Sequence, residues 1–570
     1  MPTVAEYLVA RLQQIGVEHV FTIPGDYAAP FIDALDLAKG IERIPNINEL
    51  GCGYAADGYA RFRGVGAACV QYGVGTFSLL NCVAGSYTEF LPVAIISSSP
   101  GATDRILEEE ENIIFHHSTG ELLADRNVMD NVTVASIVVT DANAAPAQID
   151  AALTAMLTHR RPVYIEVIKS AWKLCCSAPE GRLSAQIIPS DTDATEAAVE
   201  AAWQRISAAE RPVLFFGIEI HRLGLQPLAQ QLVDASGLLF TTTSLAKTLL
   251  DERQPSFAGT YAGPASPDST NDLMLESDCV LALGTIITDD YLAIMASSFS
   301  KMIRVSHGET RVGLAYYREV QLKDFLSGLI ARFELQERSA QVAVRPQNHP
   351  VPVDNSITLT YNIFYDMLSA WLAAEALLDS SVLVLGESTS LYVFGNLFGL
   401  PANSFVSQAA WGSLGHETGS ALGVALCSGK RPFVVAGDGG FMMVCQELSS
   451  LAMQKSNAVV FVLSNRAYAI EQAFVSLDAF KPDGKFAAYD LLPTWDYIAL
   501  AQAFGAKGFS ALTASDLTTV LAEIKDLTGQ PALIEIVIPQ KDLAPQLERL
   551  AQLPESLQKY NRSNILFSKK

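Results

Sequence analysis

Short apolar runs that end at a Gly- or Pro-marked turn and give way to an amphipathic helical pattern recur along most of the chain. HVFTIP (19–24), AACVQYG (67–73), VAIISSS (93–99) and VYIEVI (163–168) are examples. This alternation predicts an α/β fold, with parallel sheets covered by helices on both faces. A chain of 570 residues exceeds one core, because cores stop growing at roughly 250–300 residues. The rhythm breaks at 177–195, rich in Pro, Ser and Asp, and at 336–356, polar with three prolines. Both stretches read as interdomain linkers. They predict doubly wound domains at 1–180, 190–340 and 355–550, with a tail at 551–570. In the third unit a helix is expected at 362–378, followed by strands at 381–388, 431–440 and 458–465. The first and third units both pair strands with glycine-rich turns, but no residue-level repeat joins them.

Composition removes several function classes. A net charge of −22 argues against a nucleic-acid partner, because phosphate binding needs clustered Lys and Arg. No apolar stretch approaches the roughly 20 residues that span a bilayer, so no membrane partner is expected. The opening MPTVAEYLVARLQQIG is amphipathic and carries an acidic residue, unlike a signal peptide or targeting arm. The eight cysteines (52, 69, 82, 175, 176, 279, 427 and 445) form no C-x-x-C pair. Free thiols in a reducing cytoplasm are the expectation.

The sharpest local signal is Gly437-Asp438-Gly439-Gly440, with Asn465 following 25 residues later. The glycines let the backbone turn tightly and approach a ligand. The helix that follows aims its free N–H groups at that turn, which favours an anion. Asp438 is out of place beside an anion unless a hard divalent cation lies between them. Mg²⁺ prefers oxygen ligands and phosphate help, and Asn465 plus a nearby backbone carbonyl could complete its donors. The other reading is a tight strand–helix turn whose Asp caps the helix.

At these residues the chain resembles a known family. GDGG…SNRAYAIE is similar to the thiamine-diphosphate motif of the pyruvate decarboxylase family, where GDG is followed, after a spacer of similar length, by two Asn. Here Ser464 replaces the first Asn, and Ala467 stands where Gly is common. IPGDYAAPFIDAL carries the family's GDY and so points to Asp26. INELGCGYAADGYAR resembles NELNAxYAADGYAR and points to Glu49, while NIIFHHSTG points to His116 and His117. DERQPSFAGTYAGPAS is similar to the middle domain of indolepyruvate and branched-chain 2-keto acid decarboxylases. QAAWGSLGHETGSALG resembles QPLWGSIGYTLAAAxG, and YAIEQAF resembles YTVE, which points to Glu471. The motifs fall in family order along the whole chain.

The resemblance implies the thiamine-diphosphate-binding fold, in three domains: pyrimidine-binding, central and diphosphate-binding. It implies non-oxidative decarboxylation of a 2-keto acid to an aldehyde and CO₂, with thiamine diphosphate and Mg²⁺ as cofactors. Asp438, Asn465 and the carbonyl of Ala467 would hold the metal. Glu387, Ser388, Gly437, Gly439, Gly440, Tyr468, Ala469 and Ile470 would surround the cofactor. The Gly412 carbonyl would accept from its pyrimidine amino group, and Leu414 would be the wedge that bends it. Glu49 would share a proton with the pyrimidine ring, helped by burial that raises its pKa; on its own it reads as a carboxylate at a helix N-terminus. Asp26, His116, His117 and Glu471 would supply and relay protons. Without the resemblance, the adjacent His pair reads as a polar loop with no third metal ligand at suitable spacing.

GESTSLYVFG carries Thr389-Ser390 as the aryl- and branched-chain-preferring relatives do, which favours a wide pocket lined by Thr389, Leu391, Ile470 and Phe474, with Phe474 arguing partly the other way because it takes up space where smaller aliphatics are common. Glu387 replaces a Gln or Asp found in relatives. An apolar region around the cofactor would favour loss of CO₂. Pyruvate as the substrate is one alternative. Another is a carboligating enzyme of the acetohydroxyacid synthase or benzaldehyde lyase type, which lacks the His pair and the YxxE glutamate. An inactive cofactor-binding regulator is a third. A dehydrogenase is disfavoured because no G-x-G-x-x-G follows a first strand. In relatives the Glu49 and Asp438 positions meet across a subunit boundary, which implies a homodimer or homotetramer with active sites at the interface.

Overall fold

The computed structural model describes residues 1–552 except 292–293, 295–298, 307, 337 and 346–355. Part of the 336–356 stretch and nearly all of the 551–570 tail therefore lie outside the described residues. Residues 177–191 carry neither helix nor strand, and Asp191 caps the helix Thr192–Ala208 by accepting from the Ala194 amide at 2.7 Å.

Three sheets organise the chain. The first contains β1 (His19–Thr22), β2 (Glu42–Pro45), β3 (Gly66–Cys69), β4 (Val93–Ser99), β5 (Ala135–Val139) and β6 (Val163–Ile168), in the order β2-β1-β3-β4-β6-β5, all parallel. The second contains β7 (Pro212–Phe216), β8 (Phe240–Thr243), β9 (Phe257–Tyr261), β10 (Cys279–Leu283), β11 (Ile303–Ser306), β12 (Glu309–Val312) and β13 (Ala315–Arg318), in the order β13-β12-β11-β10-β7-β8-β9. The third contains β14 (Ser381–Leu385), β15 (Phe405–Ser407), β16 (Arg431–Gly437), β17 (Val459–Ser464), β18 (Lys507–Ala511) and β19 (Ala532–Val537), in the order β15-β14-β16-β17-β19-β18. Helices flank all three, as the alternation predicts. The second sheet departs from it at one edge, where β11, β12 and β13 pair antiparallel. Their connections are too short for the helical crossover that a parallel pair needs.

The first and third sheets share one strand order, a duplication invisible at the residue level. The helix after the second strand of each, Glu49–Arg63 and His416–Cys427, packs against its counterpart. Glycines permit the approach: a Cβ on Gly58 would fall 2.3 Å from the Ser420 carbonyl oxygen, and one on Gly423 2.0 Å from that of Ala55. A single apolar core runs through both units, joining Phe21, Tyr59 and Leu79 to Val434, Phe441 and Leu448. Buried polar groups pin the contact. Arg61 donates to Asp57 at 2.7 Å and to Glu89 at 2.6 Å, and His416 Nε2 lies 2.7 Å from Asp57. Burial alone would raise the Asp57 carboxyl, but Arg61 and His416 outweigh it and hold it well below the usual carboxylate range.

All eight cysteines are free, and Cys175 alone is exposed. Among the described residues no helix is long and apolar enough to cross a membrane.

Candidate active site

The third sheet reverses its strand order between β14 and β16, and ligands of open parallel sheets bind at the carboxyl ends beside such a switch point. Ser388, just after β14, faces Gly437 at the end of β16. A cavity of about 460 Å³ opens there. Its wall contains Glu387, Ser388, Thr389, Gly412, Leu414, Gly437, Asp438, Gly439, Gly440, Asn465, Ala467, Tyr468, Ala469, Ile470, Glu471 and Phe474. Side chains named from the sequence are therefore brought together from four separate loops.

The floor is the 437–440 turn. A Cβ on Gly439 would fall 2.2 Å from the Tyr468 ring, so any larger residue there would displace that ring. Asp438 is 3 % exposed and accepts from the amides of Gly439 at 2.9 Å and Arg466 at 2.6 Å. Burial pushes its carboxyl up to about 6, against the pull of those backbone N–H groups. Asn465 directly follows β17, donates to the Tyr361 hydroxyl at 2.8 Å and accepts from the Ala467 amide at 3.1 Å. The positive φ of this loop falls on Arg466 (62°) rather than Ala467, so the alanine is unstrained.

The donor set fits Mg²⁺ and a diphosphate. Asp289, Asp290, Glu387, Asp438 and Glu471 line the cavity, and no Lys, Arg or His does. No side-chain cation lines the cavity to balance a diphosphate against these carboxylates, so a divalent cation would have to stand between them, and the buried Asp438 has no cationic side chain beside it. Carboxylate, amide and backbone oxygens are the hard ligands that such an ion takes. No cluster of three His, Cys, Asp or Glu that could bind a metal occurs among the described residues.

Of the four residues expected to line the substrate pocket, Leu391 does not face this cavity. Leu391 is 2 % exposed and packs into the core of the third unit, away from the cavity. The helix Thr389–Phe394 sets the phase: Thr389 and Tyr392, three apart, share the cavity face, and Leu391 turns inward. Tyr392 escaped the sequence reading, as did Thr288, Asp289 and Asp290, which the central unit contributes. The Tyr392 hydroxyl donates to Asp290 at 3.2 Å and to Glu387 at 3.3 Å. Burial, and then the nearby Asp290 charge, push the Glu387 carboxyl up to about 8.

The WGSL loop is held from the first unit. The amides of Ala410 and Trp411 donate to Glu89, the carboxylate paired with Arg61. Gly412 takes φ 71°, a left-handed conformation suited to glycine.

Glu49, Asp26, His116 and His117 do not line this cavity. Glu49 opens the helix Glu49–Arg63 behind its cap Asn48 and is only half-buried, so one chain does not supply the burial expected around it. Asp26, His116 and His117 are exposed, and they cluster near the ends of β1 and β3.

Three family profiles match the chain: the thiamine pyrophosphate enzyme N-terminal TPP binding domain over residues 2–124, the central domain over 199–328, and the C-terminal TPP binding domain over 391–536. The chain is 29% identical to a probable pyruvate decarboxylase of Schizosaccharomyces pombe, covering 96% of this chain and 94% of that one. It is 28% identical to the pyruvate decarboxylase of Kluyveromyces lactis, over 97% and 98%. The chain belongs to the thiamine-pyrophosphate-dependent 2-keto acid decarboxylase family. An alpha-keto-acid decarboxylase of Mycobacterium leprae is also 28% identical to this family member, covering 96% of it and 95% of the relative. The cavity of the decarboxylase lies within its C-terminal profile, apart from Tyr361, Glu387, Ser388 and Thr389 before it and the acidic loop from the central unit.

Proposed function

We propose that the protein converts a 2-keto acid with a branched, long or aromatic side chain into an aldehyde and CO₂, using thiamine diphosphate and Mg²⁺ at sites shared between two subunits. The acidic cavity carries this reading: its donor set suits a metal-bound diphosphate and it includes Glu471, but Glu49, Asp26, His116 and His117 are missing from it. Those groups lie on the first unit of the same chain, at a distance from the cavity. A second copy, in a homodimer or homotetramer, would bring them in.

When bound, thiamine diphosphate supplies the nucleophilic carbon and the electron sink. Asp438, Asn465 and the Ala467 carbonyl would hold Mg²⁺ on its diphosphate. Leu414 would press the cofactor into its bent shape, and the Gly412 carbonyl would accept from its amino group. Glu49 of one subunit would hold a proton at the pyrimidine ring nitrogen of the other subunit's cofactor. The imidazoles of His116 and His117 and the carboxyls of Asp26 and Glu471 would deliver protons as CO₂ leaves and the aldehyde is released.

Two observations support a wide substrate pocket. Thr389 places a small side chain at the wall, and Leu391 is withdrawn from it. Phe474 also lines the cavity and takes up space there, which argues partly the other way. With both cofactors present, phenylpyruvate and 4-methyl-2-oxopentanoate should show higher kcat/KM than pyruvate in an aldehyde-reduction assay. A clear preference for pyruvate would discard the wide pocket. Absence of aldehyde from every 2-keto acid would discard the decarboxylase reading.

A further inference from the structure

Directly after β3, Gln71 and Tyr72 touch both parts of the proton-handling group on the first unit. Tyr72 is 5% exposed, and its hydroxyl donates to the His116 carbonyl oxygen at 2.5 Å. Its ring meets the His117 ring edge-on at 6.0 Å and stacks on Tyr27 at 5.7 Å. Gln71 is 6% exposed, and its Nε2 donates to Asp26 at 3.2 Å. Its Oε1 lies against Gly25, where a Cβ would come within 2.3 Å of it.

We propose that Gln71 and Tyr72 form one positioning device that holds Asp26 and the His116–His117 turn in a fixed mutual arrangement for proton transfer. This rests on the reading above that those groups move protons. The functional side chains are exposed and so cannot hold themselves in place, whereas the two residues beneath them are buried. Exposed groups act at a set geometry only when a buried layer orients them. The turn also needs holding because His117 adopts φ 77°, a conformation that non-glycine residues avoid unless their surroundings impose it. Gly73 completes the clamp. Its amide donates to Asp125 at 2.6 Å, and a Cβ on it would fall 2.1 Å from the His117 carbonyl oxygen. Charged neighbours surround the group: Asp104, Glu108, Asp125 and Glu166 act on Tyr27 or Tyr72, and Lys169 on Asp26. Lys169 lies 3.6 Å from Asp26 Oδ2, the carboxylate oxygen that Gln71 does not reach, and 4.6 Å from the Tyr27 ring centre.

Tyr72→Phe keeps the ring and removes only the hydroxyl, and it is tested in the full-length enzyme loaded with thiamine diphosphate and Mg²⁺. Expected are a kcat lower by about tenfold, a nearly unchanged KM for phenylpyruvate, and a larger solvent deuterium isotope effect on kcat. In a His117→Ala background the same change should have little further effect. Gln71→Met should lower kcat in the same way and serves if Tyr72→Phe folds poorly. Wild-type kcat in both variants, or an equal loss in the His117→Ala background with no change in the isotope effect, overturns the device. Full activity of His117→Ala itself would instead remove the proton-transfer reading beneath it.

Discussion

Glu417 stands in the first turn of the helix His416–Cys427, 1% exposed, and neither carboxylate oxygen has a hydrogen-bond partner among the described residues. Gly386 and Gly440 make room for it: a Cβ on Gly440 would lie 2.9 Å from Oε1. Burial pushes the carboxyl up from its ordinary 4.5 to about 7, despite nearby backbone N–H groups. A carboxyl whose pKa rises on folding favours the protonated fold. Its contribution is complete below about pH 4.5 and fades as pH rises through about 7, and a shift of this size corresponds to about 3 kcal/mol. Glu417→Gln, neutral at every pH, should match the wild type near pH 5 and gain stability over it by pH 8.5 in urea unfolding. A difference independent of pH would show that ionisation plays no part. A glutamate in a first helical turn ordinarily faces water and the helix dipole, so nothing in the sequence flagged this one. Asp438 and Asn465 were readable because turn chemistry and strand ends are local features. Leu391 was not, because a helix of six residues shows too little periodicity to fix its phase. Asp290 reaches the cavity from another domain, and no local pattern records that contact.

At the scale of elements, the paired helices Glu49–Arg63 and His416–Cys427 depend on glycines at positions where a helix would prefer alanine. Glycine within a helix costs about 1 kcal/mol relative to alanine, so Gly58→Ala and Gly423→Ala would each gain that much in isolation. Here the added methyl groups would meet the Ser420 and Ala55 carbonyl oxygens at 2.3 Å and 2.0 Å. Relief requires the helices to separate, and overpacking of this kind costs about 1–3 kcal/mol. The clash should win, giving net destabilisation for both variants in chemical unfolding; a gain in stability would mean that the interface is loose. The close approach could not be read from the chain, since both helices look like ordinary amphipathic segments with stray glycines. The parallel strands could be read, because their apolar runs stand between turns and helices. The antiparallel edge β11-β12-β13 could not, because its strands are four residues each and blend into the surrounding rhythm. The shared strand order of the outer sheets is likewise a property of packing, which differing side chains can satisfy equally well.

For the whole molecule, the separation of Asp438 in the cavity from Glu49 outside it decides how many chains make one active site. If the site is shared, Glu49→Gln disables it through one subunit and Asp438→Asn through the other. Each variant alone should be nearly inactive. In a mixed dimer, one site would combine both substitutions and the other would contain neither. Random pairing of equal amounts makes about half of the dimers mixed, so about a quarter of all sites should regain wild-type composition. Activity of the co-expressed pair should therefore rise to about a quarter of the wild type, with thiamine diphosphate and Mg²⁺ in excess. If one chain builds its own site through a hinge between its units, every site in every combination carries a substitution and activity stays at the level of the single variants. The half-buried state of Glu49 favours the shared site. A carboxyl that keeps a proton needs an apolar cover, and the first unit leaves Glu49 only half-covered. A second chain that presents its diphosphate-binding unit would supply that cover and the cofactor ring together.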